Sequence, residues 1–138
     1  MALRYLLDTD VLSSLIREPG GSAAREIGRR GASAVCTSII VAGELRFGAR
    51  KAASERLTTR VEAILAAITV YALDASADEH YADIRQFLAR NGTPIGPNDL
   101  WIAAHARSLD LIAVTGNDRE FSRVPGLRVE NWLRGDGS

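Results

Sequence analysis

Apolar residues along the chain fall into short unbroken runs separated by stretches in which they recur every three or four positions. The runs at 4–7, at Val35, and at 70–73, 111–115 and 127–129 read as buried strands, since a strand covered on both faces needs no polar alternation. Residues 54–68 place Leu57, Val61, Ile64 and Ile68 on one helical stripe, and 76–91 do the same with Ala77, Tyr81, Ile84 and Leu88. Ser38 is positioned to cap another helix, with Ile40, Glu44 and Phe47 along one face. Residues 100–109, apolar nearly all round, read as a buried helix that Asp99 opens after Gly96-Pro97-Asn98. Alternating strands and helices predict an α/β fold: a central parallel sheet of about five strands with helices on both faces, because parallel neighbours require crossovers.

A length of 138 residues suits one hydrophobic core. Gly20-Gly21 and Asn91-Gly92 read as breaks rather than linkers, so one domain is expected over 1–134 and a flexible tail over 135–138. There is no basic segment followed by a long apolar run, and no stretch near the roughly 18 apolar residues of a membrane span; a cytoplasmic location is expected. The single cysteine, Cys36, has no internal disulfide partner and reads as a buried thiol in a strand. Acidic and basic residues number 17 each, so any nucleic-acid contact has to come from a local patch. All but one of the basic residues are Arg, the exception being Lys51; guanidinium forks favour bidentate phosphate contact.

Three carboxylates stand where the pattern places ligand-binding positions. Asp8 follows the first strand directly, at the carboxyl end where open α/β sheets place their crevice. Glu44 interrupts an otherwise apolar helical face, and a carboxylate there needs a partner. Asp99 lies at the start of a buried helix, where it either caps the helix or faces the crevice. The fourth strand ends in Thr115-Gly116-Asn117-Asp118-Arg119-Glu120-Phe121, which delivers further oxygen ligands to the same edge. Two like charges 4 Å apart cost about 1 kcal/mol in water and about 4 kcal/mol near a protein surface. A divalent cation removes that penalty, and an all-oxygen donor set points to Mg²⁺ or Mn²⁺ and to hydrolysis of a phosphodiester.

Leu6-Leu7-Asp8-Thr9-Asp10-Val11-Leu12-Ser13 resembles the opening motif of VapC-type PIN domains, usually written LLDTNxLS. Residues 38–48 resemble that family's second motif, with its glutamate in Gly43-Glu44-Leu45; 94–106 resemble the third, and 114–132 the usual ending. The resemblance spans nearly the whole chain. It implies a PIN fold and a toxin ribonuclease that hydrolyses RNA, a structured RNA such as tRNA, with Mg²⁺ or Mn²⁺. It makes Asp8, Glu44 and Asp99 metal ligands and catalytic residues, with Thr115 and Asn117 shaping the site beside them. The fourth acidic position falls to Glu120, with Asp118 as an alternative that could bind through water. Relatives read TNN where this chain has Thr115-Gly116-Asn117, and Asp10 replaces their usual asparagine, where it either tightens cation binding or caps a helix. The resemblance further implies a VapB-like antitoxin, a homodimer, and a heterotetramer or heterooctamer with that antitoxin. The stripe of Leu57, Val61, Ile64 and Ile68 would wall the antitoxin groove or else face the sheet.

Arg46, Arg50 and Lys51, continued by Arg56 and Arg60, suit RNA phosphate contact and suit a solvated helical face equally. His80 and His105 have no third ligand at metal spacing and read as structural, while Trp101 and Trp132 read as core or dimer packing. Two other functions fit parts of the chain. Asp8-Thr9-Asp10-Val11 partly matches the DxD motif of haloacid-dehalogenase-like phosphatases, but those enzymes need a late lysine and Lys51 comes too early. A non-catalytic binding module would use the same rim only to dock RNA or a protein.

Overall fold

Strands β1 (Tyr5–Leu7), β2 (Val35–Ser38), β3 (Thr69–Tyr71), β4 (Ile112–Val114) and β5 (Val129–Glu130) pair in parallel in the spatial order β3-β2-β1-β4-β5. They belong to a computed structural model that describes residues 2–133; the tail expected at 135–138 lies outside the described residues. Among these residues seven α-helices connect the strands: α1 (Thr9–Arg17), α2 (Ser22–Arg30), α3 (Ile39–Ala52), α4 (Glu55–Ala67), α5 (Ala75–Arg90), α6 (Pro97–Ser108) and α7 (Asp118–Phe121).

The chain steps outward from β1 to β3, then returns to the other side of β1 for β4. Right-handed crossovers therefore lay α1 to α4 on one face and α5 and α6 on the other. The packing agrees, since α1 meets α2, α3 and α4 while α5 runs along α6. Direction reverses between β1 and β4, and the crevice beyond their carboxyl ends is the switch point at which such sheets bind ligands. Both strands are buried along their whole length, and their register pairs Leu7 with Val114. Asp8 N–H donates to the Val114 carbonyl at 2.9 Å, which brings Asp8 and Thr115 to the crevice side by side.

The strands keep to the expected places with shifted ends. β2 extends from Val35 through Ser38, and β5 starts at Val129 because Gly126, at φ 75°, turns the chain just before it. Three helices, α1, α2 and α7, fall where the apolar pattern predicts none. α2 buries only Ala23 along a polar surface, α7 is four residues long, and the buried positions of α1 continue the apolar run of β1. Ser38 caps α3 as expected, its Oγ accepting from Ile40 N–H at 3.1 Å. The remaining readings hold as packing. Cys36 is buried in β2, His105 is buried with Nδ1 2.8 Å from Ser38 Oγ, and His80 Nδ1 accepts from Arg107 Nε at 2.8 Å. Trp132 packs edge-on against Tyr5, and Trp101 stacks on Tyr81.

Candidate active site

Asp8 ends β1 and is at once the N-cap of α1, so its carboxylate is fixed by backbone that the core holds. Its Oδ1 accepts from Thr9 N–H at 2.7 Å and its Oδ2 from Thr115 Oγ1 at 2.7 Å. Thr115 is fully buried, and its hydroxyl also accepts from Asn117 N–H at 2.9 Å, which sets the direction of the loop after β4. Burial nevertheless pushes the Asp8 carboxyl up to about 7; the Thr115 and Thr9 hydrogen bonds oppose the rise, and the nearby charges of Asp10 and Asp99 add to it.

The other two acids arrive from separate helices. Glu44, on the second turn of α3, accepts a short hydrogen bond from Thr9 Oγ1 on one oxygen and a 2.9 Å bond from Asn98 Nδ2 on the other. Asp99 stands in the first turn of α6, but Gly96 occupies the N-cap, so Asp99 is not the cap. Its Oδ2 accepts from Asn117 Nδ2 at 3.2 Å, and the same amide donates to Glu120 Oε2 at 2.8 Å. Burial raises the Asp99 carboxyl above its usual range, Asn117 opposes the rise, and Glu44, Glu120 and Asp10 add to it. Glu120 therefore belongs electrically to the cluster. Asp118, the alternative for the fourth acid, accepts from Asn131 Nδ2 at 3.1 Å, and neither it nor Glu120 lines the cleft itself.

Asp10 is not a helix cap either. It lies in the first turn of α1, and its Oδ2 accepts from Gly116 N–H at 2.9 Å. A Cβ at position 116 would come within 2.6 Å of that oxygen. The two departures from the family pattern, Asp10 and Gly116, thus touch each other, and the missing side chain at 116 makes room for the carboxylate at 10. Burial raises Asp10 above the usual carboxylate range, against the Gly116 hydrogen bond and the charge of Arg17.

Asp8, Asp10, Glu44, Asp99 and Asn117 line one open cleft of about 390 Å³, together with Thr9, Ser13 and Arg17. Thr9, Asn98 and Arg17 were not singled out from the sequence. Asn98 adjoins Asp99, yet its partner Glu44 is 54 positions away, and no local pattern signals that pairing. A neighbouring groove of about 370 Å³ between α1, α3 and α4 is lined by Ile16, Leu45, Ala49, Leu57 and Val61, and shares Thr9 and Glu44 with the cleft. The expected stripe on α4 divides here: Val61 is only 2% exposed and belongs to the core, Leu57 is half-buried in the groove wall, and Ile64 and Ile68 pack against the core. Arg46 meets both oxygens of Glu62 at 2.8 and 2.9 Å. Arg50 and Lys51 remain exposed at the end of α3.

The donor set suits a hard divalent cation: it is all oxygen, drawn from four carboxylates around one cleft. Burial raises Asp8, Asp10 and Asp99, and neighbouring carboxylates add to the rise at Asp8 and Asp99, so a cation would favour the charged forms. Among the described residues no three such side chains already surround one metal position. The Asn98 and Asn117 amides and the Thr9 hydroxyl instead satisfy oxygens of Glu44 and Asp99 by hydrogen bonding, and those bonds would yield to a metal.

Fold and site together define the class. The chain belongs to the PIN-domain family, whose profile matches residues 5–127. It is 42% identical over 131 residues to the tRNA(fMet)-specific endonuclease VapC of Shigella flexneri, covering 94% of this chain and 98% of that protein. It is 39% identical over 133 residues to Ribonuclease VapC2 of Haemophilus influenzae, covering 95% and 99% respectively. Among solved structures, DNA-bound VapBC from Salmonella typhimurium superposes with a TM-score of 0.88 at 40% identity, over 94% of this chain and 98% of that one. Membership of this family leaves the phosphatase resemblance of Asp8-Thr9-Asp10-Val11 without support. Among the described residues no helix is long and apolar enough to cross a membrane.

Proposed function

We propose that this protein is the ribonuclease toxin of a VapBC-type pair, an endoribonuclease that hydrolyses RNA phosphodiester bonds with Mg²⁺ or Mn²⁺. The observation that carries the reading is the convergence of Asp8, Glu44 and Asp99 on one cleft at the switch point of the sheet. Near-full-length likeness to proteins named as VapC ribonucleases supports it. Asp8, Glu44 and Asp99 would hold the metal with Glu120 at the edge, and the ion would supply Lewis-acid stabilisation and an activated water. Thr115 orients Asp8, Asn117 holds Asp99 and Glu120 together, and Arg17 brings a cation to a cleft that otherwise repels a phosphate. The substrate is a structured RNA such as tRNA, in keeping with the name of the Shigella relative.

The partner is a VapB-like antitoxin, in keeping with the VapBC likeness. Its apolar segment would lie in the groove between α1, α3 and α4, and an arginine would reach the acids where groove and cleft meet at Thr9 and Glu44. The toxin is a homodimer and forms a heterotetramer or heterooctamer with the antitoxin. The test is cleavage by purified protein and the chemistry of the RNA ends. Wild type should leave 5′-phosphates, stop in EDTA and recover with Mn²⁺, while Asp8→Asn and Asp99→Asn should be folded and inactive. Full activity in both variants, or in chelator, would overturn the reading; binding without cleavage by the wild type would make the rim a docking surface only.

A further inference from the structure

Asp10, Ser13 and Arg17 stand three and four positions apart on α1, so they share one face of that helix, and all three line the acid cleft. Long helical side chains lean toward the N-terminus, which carries the Arg17 guanidinium from the last turn back along this face toward Asp10. Its charge is felt there, drawing the Asp10 carboxyl down against the effect of burial. Arg17 is exposed, and although four carboxylates line the same cleft, its guanidinium makes no hydrogen bond or ion pair among the described residues. Two other side-chain donors of the cleft are committed: Thr9 Oγ1 donates to Glu44, and Asn117 Nδ2 donates to Asp99 and Glu120. Ser13 and Arg17 are the cleft-lining donors left uncommitted, one turn apart on the same helix face.

Two uncommitted donors, one of them cationic, in a cleft whose other charges are negative suit an anion that has to approach those acids. A phosphodiester presents two nonbridging oxygens that share one negative charge; a guanidinium fork matches such a pair, and a hydroxyl adds a neutral donor beside it. We infer that Arg17 and Ser13 seat the nonbridging oxygens of the phosphate that is cut, on the α1 side of the cleft. The inference rests on the ribonuclease reading and adds two substrate-binding residues to it. The seat grips the backbone and no base, so it places the strand over the acids without choosing the sequence. Both residues also line the apolar groove between α1, α3 and α4, so an occupant of that groove lies against the seat.

The test uses the full chain without antitoxin, carrying Asp8→Asn so that RNA survives, and reads binding of a labelled single-stranded oligoribonucleotide in Mg²⁺ by fluorescence anisotropy. The linkage that is cut is mapped separately with the wild type. Adding Arg17→Ala should weaken binding about tenfold and flatten the dependence of log affinity on log salt by about 0.7, the share of one phosphate contact. Arg17→Lys should keep the salt dependence and recover only part of the affinity, because a point charge lacks the fork. Ser13→Ala should cost about threefold. An uncharged methylphosphonate is then placed at each linkage in turn, with a 2′-deoxy sugar beside it. At the cut linkage Arg17→Ala should make no further difference, while at the others its full effect should remain. An equal Arg17 effect at every linkage would overturn the seat. So would an Arg17→Ala protein that binds RNA normally but releases the antitoxin, since the guanidinium would then belong to the partner's groove. Wild-type cleavage at a linkage where the Arg17 effect persists overturns the seat alone. An Arg17 effect lost at one linkage, with no cleavage by the wild type, overturns the nuclease reading alone.

Discussion

Replacing Asp8 with Asn should stabilise the metal-free protein at alkaline pH and weaken it at acid pH. Burial holds the Asp8 carboxyl at about 7, against an ordinary value of 3.8. Each tenfold in proton affinity is worth about 1.4 kcal/mol, so keeping Asp8 ionised in the fold costs about 4 kcal/mol relative to the unfolded chain. The raised value fixes the sign: the folded state binds this proton more tightly, so the contribution is fully present below 3.8 and is lost as pH climbs to about 7. Asn removes the charge but leaves one acceptor where Thr9 N–H and Thr115 Oγ1 each use one, at a cost of about 1 to 2 kcal/mol. The variant should therefore be about 2 to 3 kcal/mol more stable at pH 8 and about 1 kcal/mol less stable near pH 4, with a crossing between. Thermal unfolding in EDTA reads this as a Tm higher by about 6 to 12 °C at pH 8, at about 3 to 4 °C per kcal/mol for a domain of this size. Adding millimolar Mg²⁺ should close the gap by stabilising the wild type. Parallel pH profiles for the two proteins, with no crossing, would refute the account of Asp8 as a buried carboxylate at strained ionisation.

Three further outcomes follow from the packing. Phe121 is fully buried and anchors the four-residue helix that carries Asp118 and Glu120, so Phe121→Ala should cost about 3 to 5 kcal/mol in urea unfolding. Val61→Glu, at a core position, should fail to fold, whereas Leu57→Glu, half-buried in the groove wall, should fold and lose antitoxin binding in a pull-down with the cognate partner. Light scattering of the toxin alone should give about twice the 14.9 kDa of one chain; a monomer in dilute solution would remove the dimer from the proposal.

The α/β class, the parallel sheet and its five strands were legible in the sequence because burial on both faces leaves an unbroken apolar run, which needs no knowledge of neighbours. Asp8 and Glu44 were legible because one ends an apolar strand at the carboxyl edge of the sheet and the other interrupts an apolar helical face, whereas Asp99, at the start of a helix, stood out only through the motif it resembles. The order β3-β2-β1-β4-β5 was decided only in three dimensions, because an apolar run records that a strand is covered and not which strand will be its neighbour. The same holds for the pairings that tune the site. Asn98 reaches Glu44, Asn117 joins Asp99 to Glu120, and Arg46 is taken by Glu62, contacts whose partners come from different elements. A helical stripe likewise says that Leu57 and Val61 share a side, but the depth of each depends on where α1 and α3 lie against it, and that places Val61 in the core and Leu57 at the groove. Sequence periodicity records which face of an element is apolar; only the packed sheet and helices determine how far each residue on that face is removed from water and which distant side chain it meets.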